Sequence, residues 1–335
     1  AGNVGGENYT RTLTDMTAWL KEMQKTYPDL KLTLPFCTQE YMYNGQGYYR
    51  NFPENIQIVM TGGRVWGEVT NDFTTTFTNN VGRGPYMWIN WPCTDNSKKH
   101  LIMGGYTTFL HPGVDPNKIQ GIVLNPMQQS EPSKVAIFGN ACYSWNIWQS
   151  EEEAQKCWNA SFKYVDHNSA LETKASAALR ELSKHMINQN MDDRVTALQE
   201  SVDLKDHLAS FKAAISNGTT ISDEQFEDLI NEFTILKNAS TTYREQAGDS
   251  RVKDQIVYWL NCWDDTTDAA INYIKAIKAV QDGDANDKIW DLYAAGQAAF
   301  EKSKTYGFNY VDHLEYAEVG VQHIVPFIKT MLFIY

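Results

Sequence analysis

Two apolar runs in this chain stop abruptly at a carboxamide, and they limit its architecture more than any other feature. Trp88 and Ile89 lead into Asn90-Trp91-Pro92-Cys93-Thr94-Asp95, and further on Leu124 leads into Asn125-Pro126-Met127. Short continuous apolar runs bounded by turn formers are the mark of strands buried on both faces, as in parallel α/β sheets. Ile56–Met60, Tyr86–Ile89, Ile122–Leu124 and Val135–Phe138 all read this way, and Leu30–Leu34 alternates like a strand. Helical spacing separates them, with Leu13, Met16, Trp19, Leu20 and Met23 placing a helix over residues 12–25. Polar groups follow the strands at Glu40 and Tyr41, at Thr61, at Asn90 and Asp95, and at Asn125. In a (β/α)8 barrel, binding and catalytic groups occupy that end of the strands.

The chemistry of these groups suits a sugar. Indole faces stack on the apolar face of a pyranose, while Asn and Asp bond neighbouring hydroxyls in pairs.

The residues between these landmarks carry a specific likeness. Trp88-x-Asn90-x-Pro92-x-Thr94-Asp95, Asn125-Pro126-Met127 followed by Ser133-Lys134, and Tyr143-Ser144-Trp145-Asn146 together resemble glycoside hydrolase family 84. That family holds the O-GlcNAcases and the secreted bacterial β-N-acetylglucosaminidases called hyaluronidases. Thr38-Gln39-Glu40-Tyr41 and Met60-Thr61-Gly62 resemble two further family segments. The likeness is specific over residues 13–160 and weaker beyond.

The resemblance implies a (β/α)8 TIM barrel followed by a helical bundle, with residues 1–150 forming the C-terminal half of the barrel and residues 151–335 the bundle. It implies a retaining, substrate-assisted β-N-acetylglucosaminidase without a cofactor, acting on terminal GlcNAc of a glycan or glycoprotein. In that chemistry the 2-acetamido oxygen attacks the anomeric carbon, and two adjacent Asp residues manage the protons. By the same resemblance Tyr41 stabilises the oxazoline, Asn90 holds the catalytic pair or the glycosidic region, and Asp95 and Asn125 bond the distal edge of the ring. Trp88 walls the pocket, and Thr61 lines the acetamide side. The Asp pair is expected just upstream of Ala1, because Ala1-Gly2-Asn3-Val4-Gly5-Gly6 reads like the glycine-rich loop that follows it. A segment carrying the first half of the barrel is therefore an expected partner. Ile89 stands where the family often has a second aromatic, and residues 190–196 offer no counterpart to an aromatic on the aglycone side.

Asp264-Asp265 and Asp192-Asp193 are decoys for the missing pair, since both belong to the helical half. There, Ser222 and Gln225 form a capping box flanked by Ile221 and Phe226 as a hydrophobic staple, and Asp282-Gly283 ends a helix. His185 reads as a satisfied structural histidine on a helix, and His100 lies on a loop.

Composition removes some classes. A net charge of −12 argues against unaided binding to nucleic acid or an anionic membrane, and no apolar run is long enough to span a bilayer. The five cysteines are an odd number with no C-x-x-C pair, so neither a disulfide framework nor a metal site is expected. A secreted or cell-surface protein is the expected setting. The alternative to an enzyme is a carbohydrate-binding protein whose hydrolase pocket has lost its carboxylates. A structural helical module with a vestigial barrel half is the third reading.

Overall fold

The computed structural model describes residues 2–38, 43–189 and 198–331. The chain divides into two compact units: residues 1–91, 106–125 and 137–156 form the first, and residues 92–105, 126–136 and 157–335 the second.

In chain order the elements are helix α1 (Gly2–Thr26), strand β1 (Leu34–Phe36), β2 (Ile56–Met60), α2 (Asn71–Val81), β3 (Tyr86–Ile89), a short α3 (Tyr106–Phe109), β4 (Gly121–Leu124), α4 (Lys134–Trp145) and α5 (Glu151–His167). The four strands pair in parallel and in sequence order, β1-β2-β3-β4. This is the α/β part expected of a partial barrel.

Pairing in register sorts the side chains by parity. On one face Phe36, Ile56, Ile58, Met60, Met87 and Ile89 are buried. α2 in the same unit buries Phe73, Phe77 and Val81; Thr70 caps its start by accepting from the Phe73 N–H at 3.1 Å, and Gly82 ends it in the left-handed region. The other face carries Gln57, Val59, Tyr86, Trp88, Gly121 and Val123, and there Trp88 and Val123 are 41% and 40% exposed. Gly121 is required on this face, because a Cβ would stand 2.5 Å from the Tyr86 ring.

Several local readings differ from the sequence expectation: the strand expected over Leu30–Leu34 runs instead from Leu34 to Phe36, and His185 lies in a turn rather than on a helix. Residues 2–6, expected to be a loop, belong to α1, where Gly6 lets the helix approach Tyr48, whose ring would lie 2.6 Å from a Cβ. Val135–Phe138, expected to be a strand, opens α4: Val135 and Ala136 are buried while Ile137 is 47% exposed. A short apolar run carries no period long enough to separate the two states.

The second unit holds α6 (Lys174–Ser183), α7 (Lys205–Ser216), α8 (Asp223–Gln246), α9 (Ser250–Gln281), α10 (Asn286–Ser303) and α11 (Ile324–Met331). Between α10 and α11 lies an antiparallel hairpin, β5 (Gly307–Tyr310) and β6 (His313–Tyr316). The capping box at Ser222 and Gln225 forms, with Ile221 and Phe226 buried beside it, and Gly283 closes α9 at φ 72°. Asp264 pairs with Arg244 at 2.7 Å, while Asp265 pairs with Lys302 at 3.1 Å and accepts from Tyr306. Both carboxylates thus serve helix packing. Asp192 and Asp193 lie outside the described residues. Among the described residues no helix is long and apolar enough to cross a membrane.

His185 sits in the turn after α6, buried, with Nδ1 2.7 Å from the Ser201 hydroxyl and its ring edge-on to Trp263. Burial, with the charge of Lys184 beside it, pushes its pKa down from 6.5 to about 3. Below pH 6.5 the unfolded chain therefore takes up a proton that the folded chain refuses. Stability should fall as the pH drops from 6.5 towards 3, by about 1.4 kcal/mol per pH unit for this one group. Urea midpoints at pH 7 and pH 5 should separate less in His185→Gln than in the parent; equal separations would show that another group sets the slope.

Candidate functional site

The second face of the sheet, partly exposed at Trp88 and Val123, continues past the strand ends by parity to Thr61 after β2, Asn90 after β3 and Asn125 after β4. The Asn125 N–H donates to the Ile89 carbonyl at 2.8 Å, extending the ladder by one rung and holding the two carboxamides side by side.

Asn90 is the hub of this group. Its Oδ1 accepts from the Trp88 indole N–H at 2.8 Å and from Asn125 Nδ2 at 3.1 Å. Its own Nδ2 donates to the Val65 carbonyl at 2.7 Å, fixing the loop that follows β2. The structure thus brings three expected residues, Trp88, Asn90 and Asn125, into one bonded cluster. Thr61 is buried on the same face, and its hydroxyl donates to the Arg64 carbonyl at 2.7 Å, closing a turn. Tyr41 lies outside the described residues, as do residues 190–196, where an aromatic on the aglycone side was sought.

The loop pinned by Asn90 also carries charge. Glu68 accepts from Arg64 and faces His111 at 2.7 Å, beside a polar cleft of about 240 Å³. Burial pushes the Glu68 carboxyl up, but His111 and Arg64 outweigh it and hold the group below the usual carboxylate range.

Asp95 belongs to the second unit. The residues leading to it, Pro92, Cys93 and Thr94, are buried, whereas Asp95 itself is exposed. Its Oδ1 accepts from the Tyr310 hydroxyl at 3.2 Å. It borders a polar pocket of about 300 Å³ that Lys98, His100, Gln189, Glu315 and Glu318 also line. His100 joins Nδ1 to the Gln189 carbonyl at 3.2 Å and Nε2 to Glu318 at 3.1 Å, so it is structurally satisfied. Tyr310 had no signal in the sequence: it stands 215 residues from Asp95, on a hairpin that helical spacing did not foretell.

Parallel strands in sequence order, with polar groups gathered at their C-terminal ends and helices following, define an α/β segment of the (β/α)8-barrel kind. Comparison with known proteins makes the class specific. The profile of the beta-N-acetylglucosaminidase family (NAGidase) matches residues 2–184, more than half of the chain. The chain belongs to that family. CpGH84D superposes with a TM-score of 0.85 at 26% identity, covering 97% of this chain and 53% of that one. CpGH84B (0.75, 17%) and a mutant O-GlcNAc hydrolase of Thermobaculum terrenum (0.69, 16%) share the fold over 96% and 94% of this chain. The chain spans 55% and 64% of those two proteins, and so between about half and two thirds of the relatives' length.

Asn90→Ala should release all three of its partners. Unfolding free energy should drop by about 0.5–1.5 kcal/mol, the net scale of a hydrogen bond whose partners can turn to water. Exchange of the Trp88 indole N–H with solvent should speed up about tenfold. Unchanged exchange would mean that the carboxamide does not hold the ring.

Proposed function

We propose that the protein is a retaining β-N-acetylglucosaminidase that acts by substrate assistance on terminal GlcNAc of glycans or glycoproteins. The observation that carries this reading is the bonded Trp88, Asn90 and Asn125 cluster at the ends of two adjacent parallel strands, in a chain of this family.

In the proposed reaction the acetamide carbonyl oxygen forms a bond to the anomeric carbon as the glycosidic C–O bond breaks. A carboxylic acid protonates the leaving oxygen, and a second carboxylate takes charge of the acetamide N–H. Water then attacks the anomeric carbon from the face that the leaving group vacated, giving its proton to the carboxylate that had served as acid; the bond to the acetamide oxygen breaks, and two inversions retain the configuration. An adjacent Asp pair suits the task because unlike surroundings keep one ionised and one protonated. Tyr41 stabilises the charge that builds on the acetamide. Thr61 lines the acetamide side, and Trp88 walls the pocket. Asn90 fixes the glycosidic region, while Asn125 and Asp95 accept from the distal hydroxyls.

The Asp pair is assigned to a partner segment carrying the first half of the barrel. Uncovered apolar surface supports such a segment. Trp88 and Val123 on the open face of the sheet are joined by Met16 (45%) and Trp19 (61%) on α1, and by Ile137 (47%) and Trp145 (92%) on α4. A parallel sheet is stable when both faces are covered, so the exposed apolar side chains on this one support a further covering element.

The assembled protein should release a chromogenic group from a β-N-acetylglucosaminide and act far more slowly on the glucoside, which lacks the nucleophile. A thiazoline mimic of the oxazoline should inhibit, since the pocket complements the intermediate rather than the substrate. Asp95→Ala should weaken that inhibitor by about 1.5–3 kcal/mol. Equal rates with and without the acetamide would refute the mechanism, and tight sugar binding without turnover would favour a carbohydrate-binding protein.

Covering of the open faces is tested with an apolar fluorescent dye. The chain alone should bind it, and joining the complementary barrel segment should abolish that binding. Dye binding that survives assembly would sink the half-barrel reading.

A further inference from the structure

The hairpin at the end of the helical region reaches both loops that follow the carboxamide-bearing strands. The Asn309 carbonyl accepts from Gln128 Nε2 at 3.2 Å, and the next residue, Tyr310, donates its hydroxyl to Asp95 Oδ1 at 3.2 Å. The loop that presents Asp95 rests on the same support. Its Lys99 carbonyl accepts from the Trp259 indole N–H at 2.9 Å and from the Glu318 N–H at 2.9 Å, and Phe308 of β5 packs on Trp259 with ring centroids 4.6 Å apart.

Tyr310 is itself seated by its neighbours. It is 5% exposed, Lys98 Nζ lies 5.3 Å from its ring centroid, and His313 packs at 5.8 Å. Burial, together with the negative charge of Asp95, pushes the phenol up to about 12, so at neutral pH it remains the donor in this bond.

An ionised carboxylate offers two oxygens and about four lone-pair sites. With one site on Oδ1 taken by Tyr310, the rotation of the group about its last bond is fixed, and the exposed remainder faces outward in one orientation. We infer that Tyr310 is a positioning residue that selects sugar configuration: by fixing the carboxylate of Asp95, the β5–β6 hairpin makes the distal edge of the site discriminate between epimeric hydroxyls. A carboxylate free to turn would follow an axial hydroxyl as readily as an equatorial one; a clamped one does not. This inference rests on the proposed role of Asp95 in binding the distal hydroxyls.

The test compares Tyr310→Phe, Asp95→Ala and the double variant in the intact protein, using chromogenic β-N-acetylglucosaminide and its C4 epimer, the β-N-acetylgalactosaminide. Phe keeps the ring packing and removes one hydrogen bond. KM for the gluco substrate should rise about fivefold to tenfold in Tyr310→Phe, the scale of one ordinary hydrogen bond, while kcat changes less than about twofold. Preference for the gluco over the galacto substrate should shrink by a similar factor, and the added effect of Tyr310→Phe should vanish in the Asp95→Ala background. A merely structural role would lower the urea midpoint or kcat and leave the epimer ratio alone, and that result overturns the inference. So does an undiminished effect in the Asp95→Ala background. If Asp95→Ala itself leaves KM unchanged, the site assignment fails first and the inference with it.

Discussion

Everything at the candidate site depends on parallel strands pairing in register. Trp88 stands opposite Val123 and Ile89 opposite Leu124, so the first residue past each strand is of the open-face parity. A one-residue slip in β4 would turn Asn125 towards the helices and leave the Asn90 carboxamide without one of its donors. The register is well enforced, because the buried set of Ile56, Ile58, Met87 and Ile89 has no second face to occupy. The packing of the apolar residues therefore aims the polar ones.

Much of this was legible in the chain itself. The short apolar runs gave three of the four strands, and each stopped at the polar residue that the structure places at its end. Ser222 with Gln225, and Asp282-Gly283, marked helix boundaries because capping chemistry is local. The hub role of Asn90 was not legible, since it depends on a carbonyl in a different loop, Val65, and on an indole whose rotamer no pattern predicts. Val135–Phe138 misled because four apolar residues fit a buried strand and a buried helical turn alike. Tyr310 was invisible for a different reason: its meaning lies wholly in a contact that spans most of the chain.

The adjacent Asp residues on α9 show the limits of motif reading. Their spacing suits proton management, yet Asp264 faces Arg244, and Asp265 faces Lys302 and Tyr306. Adjacent positions on a helix are turned about 100° apart, so each carboxylate meets a different neighbour and the two do not share a task. What identifies a working pair is a common surface, which only the fold can supply.

The division of the chain into units has a consequence for how such proteins diverge. Residues 92–105 and 126–136 leave the sheet unit and cluster with the helical one, so the chain passes between the units at five points. Recombination at any of the last four crossovers would split a recognition loop from the hairpin and helix that seat it. Variation in ligand preference within this architecture should therefore accumulate by substitution inside the hairpin and its two client loops, with the three segments drifting together, rather than by exchange of whole modules.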